Sequence, residues 1–480
     1  MNKAMVRYLL SKLLMIEAAL LLVPLIVSFI YQEDWTIKLS LVKTIVLLLF
    51  LGGLGSFFKP RNHHIYTKEG LLIVALCWVL WSLFGALPFV FSGQIPSLID
   101  AFFEVSSGFT TTGATILPDV SVLSHSLLFW RSFAHLIGGM GVLVFALAMM
   151  NNSKNSHHEV MRAEVPGPVF GKVVAKLKDT AQILYIIYLA MFIIFAVILW
   201  LCGMPIFDSI VTAMGGAGTG GFAVYNDSIA HYQSPLITYV VSIGTLLFGI
   251  NFNLYYLILI RKFRLFFKDA ELRLYLGVIL LSTVLVTLNI VQLYPSLSQS
   301  IRYAFFQVVT IITTTGFGIT DLTTWPLFPQ FILLLLMFLG GSAGSTAGGF
   351  KVIRALIISK IVKNEVLKTL YPRRIMSLHV GQDVIDKETQ HSVLKYLAIY
   401  VILFIGLVFC LTIDHQKDFM VVLSAAASTF NNIGPILGTS ETFVIFNPFS
   451  KLLMSFAMIA GRLEIYPMLL LFLKRTWSNY

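Results

Sequence analysis

The chain has 480 residues, of which 57% are hydrophobic and 12% charged, with a formal charge of +11 and a mean hydropathy of +0.85. Globular domains run about 45 to 50% apolar and about 25% charged; here charge is missing from whole blocks, which excludes an ordinary soluble enzyme. On a soluble chain 34 Lys and Arg against 23 Asp and Glu would suggest nucleic acid, but cytoplasmic loops of an inner-membrane protein give the same balance, so the chain reads as a multi-pass inner-membrane protein with no nucleic-acid partner.

In chain order the apolar blocks predict spans at Leu13 to Ile30, Leu39 to Phe57, Leu71 to Val90, Leu127 to Met150, Ile183 to Leu201, Leu236 to Ile260, Tyr275 to Leu293, Phe328 to Ile358, Leu394 to Leu411 and Leu452 to Leu473. The first follows Lys3, Arg7 and Lys12 like a signal peptide, but it lacks a small-residue cleavage pattern and is read as an anchor that stays. Alternate connections hold 27 of the 34 Lys and Arg, the densest being Lys351 to Lys395, so both termini are expected in the cytoplasm. Cys77, Cys202 and Cys410 each lie inside an apolar block and offer neither a disulfide framework nor a thiolate metal site.

Between the third and fourth spans, and between each later pair, the outer connection ends in a glycine motif: Thr110-Thr-Thr-Gly113-Ala, Gly218-Thr-Gly-Gly221-Phe, Thr313-Thr-Thr-Gly316-Phe and Asn431-Asn-Ile-Gly434-Pro. The glycines are 108, 95 and 118 residues apart, in phase with the span pairs, which is an internal repeat of helix, short re-entrant helix, glycine loop and helix. Asp100 and Asp208 each precede the glycine of their motif by 13 residues, where they could cap the re-entrant helix; the third and fourth copies lack this spacing. Irregular backbone at membrane depth must be buried in protein or line a watery cavity. Four converging loops would present a ring of carbonyls able to replace the hydration shell of an alkali cation, and glycine supplies the backbone angles required. Small residues can also serve helix packing, but four copies in phase favour the ring.

The motifs Gly108-Phe-Thr-Thr-Thr-Gly-Ala-Thr115, Thr219-Gly-Gly-Phe222, Thr313-Thr-Thr-Gly-Phe317 and Asn431-Asn-Ile-Gly-Pro435 resemble those of the Trk/Ktr/HKT superfamily of potassium transporters. With two extra N-terminal spans, the chain is most similar to the bacterial TrkH/TrkG branch. The resemblance implies an all-α polytopic fold with four pseudo-repeats around one pore. It divides the chain into 1–68 (two peripheral spans), 69–160, 161–268, 269–372 and 373–480 (one pore repeat each). It implies K+ as the transported ion, bound at a filter made of Thr111, Thr112, Gly113, Gly220, Gly221, Thr314, Thr315, Gly316, Asn432, Ile433 and Gly434. It also implies a homodimer and a cytoplasmic TrkA-like regulatory subunit that carries a nucleotide, with no organic cofactor in this chain. No copy has the full Thr-Val-Gly-Tyr-Gly of potassium channels.

Two further features lie near the filter. The block Phe328 to Ile358 would make about 46 Å of helix, longer than a ~30 Å hydrocarbon core, and is interrupted by Gly340, Gly341, Ser342, Ala343, Gly344, Ser345, Thr346, Ala347, Gly348 and Gly349. This run has neither the Gly-Lys-Ser/Thr ending nor the preceding strand of a phosphate loop. A kink or a packing patch is the plain alternative; the expectation, shared by the resemblance, is a flexible intramembrane gate. Arg462, inside the last span, either snorkels to the cytoplasmic interface or stands in the cavity, where its charge would oppose K+ and its hydrogen bonds reach the loop; the resemblance favours a gating arginine.

Asp119, Asp227 and Asp321 follow the first three glycines and could draw cations to the outer mouth, or simply be solvated. His135 reads as a packing histidine, and His157 and His158 as loop residues. The rival reading is a symporter coupled to H+ or Na+, for which Glu104 and Glu464 are the only plausible midplane carboxylates. No nucleophile and base at a telling spacing recommend an enzyme.

Overall fold

The computed structural model describes residues 1–60, 62, 65–141, 177–373, 377–381, 383–414 and 418–477. The second half of the expected fourth span, His157, His158, the boundary at 160/161 and Lys417 lie outside the described residues. Among the described residues, six helical stretches are long and apolar enough to cross a membrane: Lys3–Ile30, Trp35–Phe57, Lys68–Ser92, Gln182–Leu201, Ala270–Ile290 and Lys387–Leu411. They correspond to the two N-terminal spans and to the first long helix of each of four units. Their outward faces carry large apolar side chains, such as Leu280 (68% exposed) and Phe409 (72% exposed), as lipid contact requires.

The other four expected spans are the second long helices of those units, and they are described as shorter or broken. His125–Gly139 is described over 15 residues. The expected single span Leu236 to Ile260 is two helices, Pro235–Phe248 and Phe252–Leu259, bent by 91°. The break falls where Gly249 and Asn251 interrupt the apolar run; the Asn251 side chain accepts from the Asn253 N–H and so starts a new helix. Leu327–Leu339 stops at Gly340 and the chain resumes as Val352–Leu370, so the interruption of the eighth span falls where the glycines lie. The last expected span is also divided, into Pro448–Arg462 and Tyr466–Phe472, with Glu464 and Ile465 at positive φ. Arg462 therefore ends a helix instead of sitting within one.

Between the two long helices of each unit lies a short one: Leu98–Phe109, Ile206–Ala217, Leu297–Ile312 and Phe419–Phe430. Twelve to sixteen residues make about 18 to 24 Å of helix, too short to cross the bilayer. The caps differ from the expectation. Ser97 caps the first, accepting from the Asp100 N–H at 3.3 Å, and Pro205 precedes the second. Both helices begin earlier than the aspartates suggest, which places Asp100 and Asp208 in the first turn, where a carboxylate still favours the positive end of the dipole. There Asp100 pairs with Lys451 at 2.7 Å and Asp208 accepts from the Tyr232 hydroxyl at 2.9 Å.

The N-terminal helices pack beside the first and fourth units in one apolar cluster with Trp78, Trp81, Phe103, Phe109 and Trp130. Trp81 and Trp130 flank the Phe109 ring at 5.5 and 5.7 Å, and the Trp130 indole donates to the Gly85 carbonyl at 3.0 Å. Separate clusters fill the second and third units. A two-stranded antiparallel hairpin, Leu378–Val380 with Asp383–Ile385, is an addition to the helical fold. With Ala343, Ile353, Ile357 and Val393 it forms a small cluster of its own.

Candidate functional site

Each short helix runs into its glycine motif through the same backbone path. Thr111, Thr219, Thr314 and Asn432 have φ between 54° and 58°, and two residues later Gly113, Gly221, Gly316 and Gly434 have φ between 74° and 110°. Left-handed backbone is costly for a threonine or asparagine and persists only where the surroundings fix it. The residue before each glycine donates its N–H to the carbonyl five residues back: Thr112 to Ser107 (2.8 Å), Gly220 to Gly215 (2.8 Å), Thr315 to Thr310 (2.8 Å) and Ile433 to Ser428 (2.9 Å). All the expected threonine, asparagine and isoleucine filter residues are fully buried. Thr219, absent from the expected set, is the second loop's equivalent of Thr111, Thr314 and Asn432; the motif alignment carries it, but the neighbouring glycine pair obscures it.

The loops meet in cyclic order. A Cβ on Gly113 would lie 1.8 Å from the Gly220 carbonyl oxygen, on Gly221 1.9 Å from that of Thr315, on Gly316 2.0 Å from that of Ile433, and on Gly434 2.8 Å from that of Thr112. Each glycine thus backs onto the carbonyl of the residue preceding the next motif's glycine, and the fourth returns to the first. Side chains vary around this common backbone. Hydroxyl pairs Thr110–Thr112 and Thr313–Thr315 stand 2.8 Å apart in the first and third loops, while the Asn432 amide donates to Thr112 Oγ1 and to the Met458 carbonyl, each at 2.9 Å.

Behind the first loop Glu104, fully buried, accepts from Arg131 Nε at 2.5 Å, from the Thr115 hydroxyl at 2.9 Å and from the Ile116 N–H at 2.9 Å. The Arg131 guanidinium lies 3.5 Å over the Phe222 ring and so ties the first loop to the second. Arg131 is absent from the expected site, although a charge inside a span is a signal of function or pairing. His135 stacks on Phe222 at 4.3 Å and its ring fills the space a Cβ on Gly220 would need, the packing role expected of it.

The Gly340 to Gly349 run crosses directly against this ring. The Gly348 N–H donates to Thr314 Oγ1 at 2.7 Å, and a Cβ on Gly348 would lie 2.6 Å from the Asn431 carbonyl oxygen. The Ser342 N–H donates to the Gly249 carbonyl at 3.0 Å and the Phe252 N–H to that of Gly344 at 2.9 Å, so the run occupies the bend in Pro235–Leu259. Arg462 donates to the carbonyls of Thr346 (2.7 Å), Gly138 (2.6 Å) and Gly139 (2.9 Å), bridging the run to the first unit. The Lys351 ammonium, buried, donates to the Ala347 carbonyl. Glu464 pairs with Arg354, whose guanidinium also lies 3.9 Å over Tyr396.

Outside the ring, Asp119 and Asp321 accept from the N–H two residues on, at 2.9 Å each, and cap short 3-10 turns. Bonds from Ser121, and then from Asn226, hold the Asp119 carboxyl below its ordinary range. Asp227 faces His231 at 3.4 Å. These contacts give all three aspartates local partners.

A sequence profile of the TrkH family, described as cation transport protein, matches residues 38–479. The chain belongs to the TrkH family. It is 34% identical over 475 residues to the Trk system potassium uptake protein TrkH of Salmonella typhimurium, covering 97% of this chain and 98% of that one. It is 32% identical over 467 residues to the TrkG protein of Escherichia coli K12, covering 96% and 95%. The crystal structure of the potassium transporter TrkH from Vibrio parahaemolyticus superposes with a TM-score of 0.89 at 31% identity over the whole of both chains. This family member is accordingly a multi-pass membrane protein of the cation-transport class.

Proposed function

We propose that this protein takes up K+ across the bacterial inner membrane through the ring of four glycine loops, with both termini in the cytoplasm. The observation that carries the reading is the cyclic contact of Gly113, Gly221, Gly316 and Gly434 with the carbonyls of the adjoining loops. Left-handed residues at every second position turn neighbouring carbonyls toward one side of the strand, and a ring of such carbonyls can replace the hydration shell of a dehydrated cation. Cation access is favoured further by the C-terminal, negative dipole ends of the four short helices, which lead into the loops. The pore has four pseudo-repeats, and residues 1–68 stand beside it.

The Gly340 to Gly349 run and Arg462 form the gate in this reading. One guanidinium ties the run, at the Thr346 carbonyl, to the carbonyls of Gly138 and Gly139 in the first unit, and a fixed positive charge there opposes a permeating cation. Opening requires that these bonds be exchanged. A TrkA-like cytoplasmic subunit carrying the nucleotide would drive that exchange, docking on the face where Lys363, Lys368, Arg373, Lys387 and Lys395 are exposed; the transporter itself works as a homodimer. The names of the Trk system relatives support potassium uptake as the activity.

A symport reading draws no support from Glu104 or Glu464, since each carboxylate is held by an arginine. The deciding experiment is Rb+ influx into proteoliposomes containing this chain alone, with Na+ competition and an imposed pH or Na+ gradient. Flux that follows only the K+ electrochemical gradient is expected. Accumulation against that gradient, driven by H+ or Na+, would replace the gated pore with a symporter.

A further inference from the structure

The helix Val352–Leu370 starts badly by its own sequence. Its N-cap is Lys351, at φ 66°, whose side chain makes no capping bond. A cation at the positive end of a helix dipole is unfavourable, and the first N–H groups of any helix need acceptors. The acceptor comes from another helix. One oxygen of Glu271, in the first turn of Ala270–Ile290, accepts from the Ile353 N–H at 3.0 Å and from the Ala343 N–H at 2.7 Å. Glu271 is 6% exposed. Its two donors lie in the first half of the Gly-rich run and just past its end, and beside them the Val352 N–H donates to the Gly341 carbonyl at 3.1 Å, closing the base.

We infer that Glu271 is a positioning residue of the gate: an external cap that pins Ala343 and Ile353, and so the base of the segment between them, to the third unit, so that this segment moves as a hinged loop about the carboxylate. The inference rests on the gating reading of that run. Its location suits control from the side proposed as cytoplasmic. Ala270, the preceding residue, packs on the cluster of Ala343, Ile353, Ile357 and the Leu378–Ile385 hairpin. A displacement of the hairpin therefore reaches the pinned base before it reaches Thr346 or Arg462. Arg462 holds the middle of the loop and Glu271 its base, so the two act on different parts of one element.

The test uses the full-length protein with Glu271→Leu, which keeps bulk and removes the acceptor, and Glu271→Gln, which keeps a neutral and therefore weaker acceptor. Two readouts are taken: amide hydrogen exchange of the segment 340–353, and Rb+ influx into proteoliposomes. We expect exchange of that segment to rise about tenfold with Leu and about threefold with Gln, flux to rise in the same order, and the Rb+ over Na+ preference and exchange of 108–116 to stay as in the parent. Unchanged exchange of 340–353 in both variants, or a rise in flux without it, overturns the pin. Faster exchange without a rise in flux keeps the pin and overturns the gating reading on which it rests. Should Leu fail to fold, the Gln variant decides between the same outcomes.

Discussion

The ring and the loop beside it are both glycine-rich irregular backbone buried at membrane depth, yet they are held in different ways. Each loop of the ring is fixed by its own N–H bond back into the short helix and by close backbone contact with the next loop. The Gly340 to Gly349 run is fixed in large part by side chains that reach in from elsewhere: Glu271, Thr314, Lys351 and Arg462. A backbone-locked ring cannot change one contact without disturbing its neighbour. A run held by separate side-chain bonds can release them in turn, which is what a gate beside a rigid filter needs.

The largest expected effect lies behind the ring. Arg131→Met leaves the buried Glu104 carboxylate without its charge partner and should cost about 3 to 5 kcal/mol, read as a loss of thermal stability in detergent. Replacing both partners, as Arg131→Met with Glu104→Leu, should be milder than Arg131→Met alone, because no uncompensated charge is left. A double variant worse than the single one would show that the Glu104 bonds to the Thr115 hydroxyl and the Ile116 N–H outweigh the stranded charge.

Next come the ring glycines. A side chain at Gly113 meets the Gly220 carbonyl oxygen at 1.8 Å, whereas at Gly434 the nearest carbonyl is 2.8 Å away. Forcing a side chain into such backbone costs about 1 to 3 kcal/mol before any clash. Gly113→Ser should therefore lower the Rb+ over Na+ preference by about tenfold, equivalent to about 1.4 kcal/mol, and Gly434→Ser by less. Equal effects, or folded Gly113→Ser protein with the parent's preference measured by Na+ competition, would remove the ring as the seat of selectivity.

The loop side of the comparison predicts the opposite pattern. Arg462→Ala removes three carbonyl bonds and a fixed charge, so Rb+ influx should rise about fivefold while the Rb+ over Na+ preference is kept. Reduced influx through well-folded protein would make Arg462 a structural tie between Thr346 and the Gly138 turn.

The same contrast explains what was legible in the sequence. The ring is visible because left-handed φ and close approach leave glycine at four positions in phase with the spans, and the loop because ten small residues interrupt an apolar block. Side-chain pins leave no such spacing. Glu271 is 72 residues from Ala343, and Arg462 is 324 from Gly138, so neither distance has a period to detect. Local competition misleads too: Asp100 reads as a cap until Ser97, three residues earlier, takes that place and starts the helix sooner. The breaks at Gly249 to Asn251 and at Glu464 to Ile465 escape hydropathy because the few polar residues at each are averaged into a longer apolar block.

The smallest effect tests the hydrogen bond from the run to a side chain of the third glycine loop. Thr314 has left-handed backbone belonging to the ring, but its hydroxyl accepts from the Gly348 N–H of the loop at 2.7 Å. Thr314→Val keeps the shape and the β-branch, so the backbone of the ring has no new reason to move. It strands one buried N–H, at a cost of about 1 to 3 kcal/mol to the closed position of the loop. Influx should rise about threefold, short of Arg462→Ala, with the Rb+ over Na+ preference intact. Thr314→Ser restores the acceptor and should return influx to the parent level. If Thr314→Val instead lowers the Rb+ over Na+ preference and leaves the basal Rb+ rate alone, the hydroxyl belongs to the filter, and loop and ring are one mechanical unit.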